Sequence, residues 1–326
     1  MNRSIGASVN VSVKYTPLGN AEPAEHIVRF AQHELGLRCY LLLDPTLRNG
    51  FRDLQQRFDV IVDGGLVAVP IRIAPERIDK THWPMLVEIS PLMRAGSEIL
   101  KASVGMAFSD WEVDSIRSGN GHRCGGWIFS EHSPARVAAH LATRFVQPRS
   151  LGRRTLIRFY DPSVLDHAWK VLSGVQQAAL FGPIHSWFVV QRSGEFAVRQ
   201  RTIDGSAKGL TSYLPPLDTQ QWQRLDHIVA INRAWARLEH AVSERVLVQI
   251  ALALERAASY GFSHPRDLEE FAWRAFTVSP RFDTHPAVQQ CIQMREPGDG
   301  FGYAVAEISD NEWSVIAMES NMEVIQ

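Results

Sequence analysis

The chain has 326 residues, 45% hydrophobic and 21% charged, with 34 Lys and Arg against 35 Asp and Glu for a net charge of −1. A chain of this length and balance builds one large or two modest globular domains whose core needs neither disulfides nor metals, and its near-neutral charge argues against nucleic acid as a main partner. Three scattered cysteines, Cys39, Cys124 and Cys291, argue against a disulfide framework and for a reducing, cytoplasmic setting; with no apolar run near ~20 residues and no apolar centre between Met1 and Val13, neither a membrane span nor a signal peptide is expected.

The first two-thirds of the chain alternate helix-like and strand-like segments. Ala24 to Leu35 has helical spacing, and Cys39 to Leu43 is a short apolar strand ending at Asp44-Pro45. Thr46 to Arg57 reads as a helix, Phe58 to Val62 and Met85 to Ile89 as strands, and Leu92 to Lys101 as a helix. Val104 to Phe108 and Gly126 to Phe129 read as strands, Ser133 to Phe145 as a helix, and Thr155 to Tyr160 as a further strand. Strands spaced by helices of 10–15 residues predict an α/β (α+β) lobe, a mixed sheet flanked by helices. Phe188 to Val190 and Phe196 to Val198 flank Ser193-Gly194, the signature of an antiparallel hairpin.

A polar, Gly- and Pro-containing stretch, Asp204 to Asp218, separates this lobe from a helical one. The expected division is residues 1–214 and 215–326. In the second lobe Asp218 and Gln221 stand at capping-box spacing, and Ser243 to Tyr260 is an apolar helix closed by Gly261. Pro265 opens the next helix, where Leu268, Phe271, Ala272, Ala275 and Phe276 form an apolar stripe. The small helical lobe ends in an acidic tail: seven acids and no base lie between Glu296 and Gln326. Within it Tyr303 to Ile308 and Trp313 to Met318 are expected to form a hairpin across the turn Ser309 to Glu312, docked on the protein itself or on a partner. The opposite sign occurs earlier. Six arginines (Arg136, Arg144, Arg149, Arg153, Arg154 and Arg158) and no acid lie between Ser133 and Tyr160. The two stretches read either as solvated faces or as docking surfaces.

A search for chemistry returns little. Gly119 to Gly126 is glycine-rich but lacks the lysine of a phosphate loop and precedes a strand, so it reads as a flexible loop. No G-x-S-x-G, C-x-x-C or H-E-x-x-H occurs. His122 and Cys124 are two apart, with His132 and His140 the nearest further ligands, and no spacing fixes a metal site. Asp110, Glu112 and Asp114 would share one face of a strand beside Trp111, as a solvated edge or as the carboxylates of a hydrolase. No catalytic residue, metal or cofactor is therefore expected, and the chain is not expected to be an enzyme. Its nine tryptophans and 29 arginines, against five lysines, suit either a tryptophan-rich core or a protein interface.

The segment Leu156-Ile157-Arg158-Phe159-Tyr160-Asp161-Pro162 carries the most information. Asp161 is placed to cap a helix that Pro162 opens, with Leu165, Ala168, Trp169 and Leu172 as its buried stripe. Arg158, among apolar neighbours, needs a carboxylate, which Asp161 or Asp44 supplies. Followed by Val164-Leu165, the segment resembles the LRFYDP signature of type VI secretion effector adaptors (Tap or TEC proteins), first catalogued as a domain of unknown function. Tyr40-Leu41-Leu42-Leu43-Asp44 resembles that family's opening strand, and Pro84-Met85-Leu86-Val87 a later one, with Trp83 where the family has glycine. Gly126-Trp127-Ile128-Phe129-Ser130 with Val137-Ala138-Ala139-His140-Leu141 resembles its strand and helix, and Phe181-Gly182-Pro183-Ile184 with Trp187 its closing motif. Tyr260-Gly261, Asp267-Leu268 and Ser279-Pro280 through His285-Pro286 resemble a segment near the C-terminal end of such adaptors.

The resemblance spans about Tyr40 to Trp187. It implies a non-enzymatic chaperone, without cofactor, that holds the N-terminal region of an effector and a VgrG spike protein. Asp44, Arg158, Tyr160, Asp161, Pro162, Gly182, Pro183 and Trp187 are the motif residues, structural or partner-binding. Neither nucleic acid nor a membrane is an expected partner. The alternatives are an immunity protein that neutralises a toxin, or a hydrolase using Asp110, Glu112 and Asp114.

Overall fold

A computed structural model describes residues 10–19, 23–45, 68–73, 79–118, 121–149, 152–204, 213–238 and 244–322. The expected helix Thr46 to Arg57, strand Phe58 to Val62 and most of the stretch Asp204 to Asp218 lie outside the described residues. The chain divides into two compact units, Met1–Asp218 and Thr219–Gln326.

The first unit is an α+β lobe. In chain order it contains β1 (Asn10–Gly19), α1 (Pro23–His33), β2 (Arg38–Leu43), β3 (Ala68–Pro70), β4 (Met85–Ile89), α2 (Arg94–Ser109) and α3 (Val113–Arg117). Then come β5 (Cys124–Ser130), α4 (Pro134–Phe145), β6 (Val146–Pro148), β7 (Arg154–Leu156), α5 (Pro162–Val171), α6 (Gly174–Phe181), β8 (Ser186–Val190) and β9 (Phe196–Asp204). Seven strands form one sheet in the order β1-β9-β8-β5-β2-β4-β3, and β6 and β7 make a separate ribbon. Each pairing in the main sheet is antiparallel, so its neighbours run in opposite directions throughout.

The central strands are buried on both faces, which is why Cys39–Leu43 and Cys124–Ser130 lack polar alternation. Cys39, Leu41 and Leu43 join Trp127, Phe129, Phe188 and Val190 in a core shared with Ile27 of α1 and Ile99, Val104 and Ala107 of α2. Trp127 Nε1 donates to Ser103 Oγ at 2.9 Å inside that layer. Trp187 belongs to an aromatic cluster with Phe181 of α6 and Trp169 of α5, with ring centroids 6.4 Å apart for Trp187–Phe181 and 5.5 Å for Phe181–Trp169. The short outer strand β3 ends at Pro70, a residue without the amide proton that an interior ladder needs.

Three local expectations are corrected. Val104 to Phe108 is the end of helix α2: Leu100, Ser103, Val104 and Ala107 recur on one buried face, and this period outweighs the strand-like composition of the run. Of the segment Thr155 to Tyr160 only Thr155 and Leu156 are strand, the end of β7; Phe159 N–H then donates to Ile157 O and Asp161 N–H to Arg158 O, turning the chain into α5. The Ser193-Gly194 hairpin is present with a longer connection, residues 191–195, closed by Gln191 N–H to Glu195 O at 2.8 Å.

The second unit is helical: α7 (Thr219–Ala236), α8 (Glu244–Ser259), α9 (Pro265–Thr277), α10 (Pro286–Met294), α11 (Phe301–Ala304) and α12 (Asp310–Met322). The C-terminus of α8 is closed by Phe262 N–H to Ala257 O and Gly261 N–H to Ala258 O, a Schellman pair. The core is an aromatic cluster in which Phe271 lies 4.8 Å from both Phe282 and Phe301, and Phe282 lies 6.0 Å from Trp313. Asp283, fully buried, accepts from Arg256 Nη2 at 2.6 Å and Tyr260 Oη at 3.0 Å.

The acidic tail is therefore part of this unit, and in place of the expected Tyr303–Met318 hairpin stand the end of α11, a turn and α12. Ser309 and Glu312 form a capping box: Ser309 N–H donates to Glu312 Oε2 at 2.8 Å and Glu312 N–H to Ser309 Oγ at 3.4 Å. Trp313, Ile316 and Ser320 then face inward at helical spacing.

Candidate functional site

The motif residues gather at two ends of the central strand pair. Leu43 of β2 pairs with Cys124 of β5 at one end, and Arg38 with Ser130 at the other.

At the first end, β2 stops where Asp44 leaves the ladder; its N–H donates to Arg123 O at 2.9 Å and its carboxylate is buried. Asp161 caps α5 as its position before Pro162 predicts. Its Oδ1 accepts from Ser163 N–H at 3.0 Å, Ser163 Oγ at 2.7 Å and His122 Nδ1 at 3.1 Å. Arg158 Nη2 bridges the two carboxylates, 3.2 Å from Asp44 Oδ2 and 3.6 Å from Asp161 Oδ2, with its guanidinium 5.4 Å from the Tyr160 ring centroid. Burial alone would raise the Asp161 pKa, but His122, Arg158 and Ser163 together hold it well below the usual carboxylate range. Burial also pushes the Tyr160 hydroxyl up, against the Arg158 charge that lowers it.

The chain can pass this closely because of Gly125 and Gly126. The β2–β5 register slips between Leu42 and Leu43, so Gly125 is the extra residue of a bulge and Gly126 takes φ +113°. A Cβ on Gly125 would stand 2.4 Å from Tyr160 O, and one on Gly126 2.2 Å from Phe188 O. Both glycines belong to a packed strand, not to the flexible loop expected there.

At the other end, Ser130 Oγ donates to Pro183 O at 2.6 Å and Tyr40 Oη to His132 O at 2.6 Å. Gly182 ends α6 at φ +48° directly against the His140 ring, where a Cβ would lie 2.1 Å from Cε1. His140 Nε2 donates to Leu180 O at 2.8 Å, Arg144 Nε to Ala179 O at 2.9 Å, and Arg201 Nη1 to Gly182 O. Burial lowers the His140 pKa to about 4, so this imidazole is a neutral donor. Trp187 is fully buried and reaches back toward the first cluster, its Nε1 donating to Gly125 O at 2.9 Å. Asp44, Arg158, Tyr160, Asp161 and Pro162 thus meet, Gly182 and Pro183 stand apart from them, and Trp187 lies between.

Sequence reasoning missed several partners. His122 pairs with Asp161 and packs on Trp111, their ring centroids 4.0 Å apart. Asp110 accepts from Arg123 N–H at 2.7 Å and Nε at 2.8 Å. Asp166 accepts from Gln191 Nε2 at 2.7 Å and from the buried Arg199 Nη2 at 3.2 Å. Arg199 carries the signal used for Arg158, an arginine inside an apolar strand, and would have called for a carboxylate in the same way.

The proposed hydrolase carboxylates do not form a cluster. Asp110 is buried at the end of α2, while Glu112 and Asp114 are exposed around the start of α3; a helix–turn–helix junction replaces the strand that would have aligned them. His122 and Cys124 do not act as a pair either: the imidazole is bound to Asp161, and burial pushes the Cys124 thiol up to about 12. Among the described residues no group of three His, Cys, Asp or Glu is arranged to hold a metal ion, and no helix is long and apolar enough to cross a membrane.

No curated protein and no solved structure matches the chain. Residues 79–179, running from the turn before β4 to the last turns of α6 and including Arg158 to Pro162, match the family described as Domain of unknown function (DUF4123).

Proposed function

We propose that this protein is a cytoplasmic adaptor chaperone that binds the N-terminal region of a type VI secretion effector and helps load it onto the VgrG spike, acting by binding and not by catalysis. The observation that carries the reading is the ordered series of adaptor-like motifs from Tyr40 to Trp187, whose central part coincides with the match at residues 79–179. The geometry is in keeping with it. The motif residues tie strand ends, a helix cap and a tight turn together, which is the work of a scaffold, and they do not converge on a reacting atom.

Deletion of the gene is expected to abolish delivery of one effector while spike assembly and the delivery of other effectors continue. The purified protein should capture that effector through its N-terminal region. Loss of all secretion would mark a structural component of the apparatus. Binding to the toxic domain with protection of the producing cell would mark an immunity protein. Either result would replace the adaptor reading.

A further inference from the structure

The six arginines between Ser133 and Tyr160 have different fates in the fold. Arg144 is buried against Ala179 O, and Arg158 is held by Asp44 and Asp161. Arg136 is exposed in the first turn of α4. The other three sit on the β6–β7 ribbon, which pairs Val146 with Leu156, Gln147 with Thr155 and Pro148 with Arg154. Arg149 N–H donates to Arg153 O at 2.7 Å near its end. Arg153 and Arg154 are exposed, and neither meets a carboxylate among the described residues.

The ribbon is firmly rooted. Val146 and Gln147 are buried, Gln147 Nε2 donates to Arg144 O at 2.7 Å, and Ile157 N–H donates to Phe145 O at 2.7 Å. One residue further on, the chain enters the Arg158–Asp161 network.

We infer that this ribbon is a docking point for an acidic segment of a protein partner. The inference rests on the reading of the chain as a binding protein and gives that reading a surface. The unpaired guanidiniums of Arg153 and Arg154, carried by a rooted ribbon, offer carboxylates two parallel hydrogen bonds each, with little backbone ordering left to occur on binding. The size of the patch favours a protein over a nucleic acid or a membrane. A polyanion is held by neutralising many phosphates over a broad field, and here two exposed arginines, Arg153 and Arg154, stand on a chain of net charge −1. Two Asp or Glu side chains on one segment match what Arg153 and Arg154 present.

The test uses the full chain as wild type, R153E/R154E, R153A/R154A and the control R136E. Each is measured against a purified effector N-terminal region and a purified VgrG spike protein from the same genome, at low and high salt, with unfolding curves recorded in parallel. Wild type and R136E are expected to bind at least one of these proteins. The alanine pair should bind more weakly, and the charge reversal about tenfold or more weakly through slower association and with a shallower salt dependence. All four should unfold alike, because the substituted side chains are exposed and unpaired. Equal binding by wild type and R153E/R154E overturns the ribbon assignment and leaves the adaptor reading standing. Failure of wild type to bind either protein overturns both. A short DNA duplex or phosphatidylserine vesicles that bind wild type and not R153E/R154E would give the ribbon a different class of partner and overturn the assignment to an acidic protein.

Discussion

Replacing Asp161 by alanine removes four contacts at once: two from Ser163, one from His122 and the ion pair with Arg158. If Asp161 were only a helix cap, the loss would be about 0.5–2 kcal/mol. The structure makes it the counter-charge of a buried network as well, and removing one member of a buried pair costs about 3–5 kcal/mol. The larger range applies, because His122 and the carboxylate are both nearly buried and Arg158 keeps Asp44 as its remaining carboxylate among the described residues. For a unit of this size that corresponds to a fall in Tm of roughly 6–20 °C. Asp161→Asn keeps an acceptor for Ser163 and loses the charge, so it should fall between wild type and alanine. Urea unfolding of all three, followed by tryptophan fluorescence, measures the series.

The effect should depend on pH in a defined sense. The Asp161 pKa is depressed in the folded protein, so its contribution is complete above the unfolded value of about 3.9 and is lost as pH falls toward the folded value. Wild type and Asp161→Ala should therefore converge below about pH 4. An alanine variant within about 0.5 kcal/mol of wild type at neutral pH would refute the network. An unchanged stability with lost effector binding would make Asp161 a contact residue instead.

His140 supplies a second pH signature. Its pKa of about 4 lies below the unfolded value of about 6.5, so the unfolded chain takes up this proton first. Stability should fall by about 2–3 kcal/mol as pH drops from about 6.5 to 4, and His140→Gln should flatten that part of the profile; an unchanged slope would contradict a buried neutral imidazole. Truncation after Pro297 removes Phe301, Trp313 and Ile316 from the core of the second unit. Each large side chain is worth about 3–5 kcal/mol against a domain total of about 5–15, so that unit should lose its cooperative unfolding and become protease-sensitive. A truncated chain as stable as the full one would show the tail to be dispensable.

What could be read from the sequence alone was local. Cys39 to Leu43 and Met85 to Ile89 are strands because short apolar runs with turn signals at their ends have few other options. Asp161-Pro162 and Pro265 announce helix starts because a missing amide proton costs nothing at a first turn. The same locality explains the errors. Val104 to Phe108 and Trp313 to Met318 are apolar runs that satisfy a period of two over five residues and a period of 3.6 over fifteen. Their packing against the sheet or the aromatic cluster selects the helix. The Ser309–Glu312 capping box was a legible signal that favoured the helix.

The site depended on tertiary structure for a different reason. Arg158 needs a carboxylate whatever the fold, and Asp44 was a legible candidate for it. That His122 would complete Asp161 could not be seen, because the two lie 39 positions apart and meet only after β5 inserts between β2 and β8 with a bulge at Gly125. The six arginines show the same limit. Composition places them in one basic stretch, but charge in a sequence carries no direction, and only the fold turns Arg144 and Arg158 inward while leaving Arg153 and Arg154 in solvent.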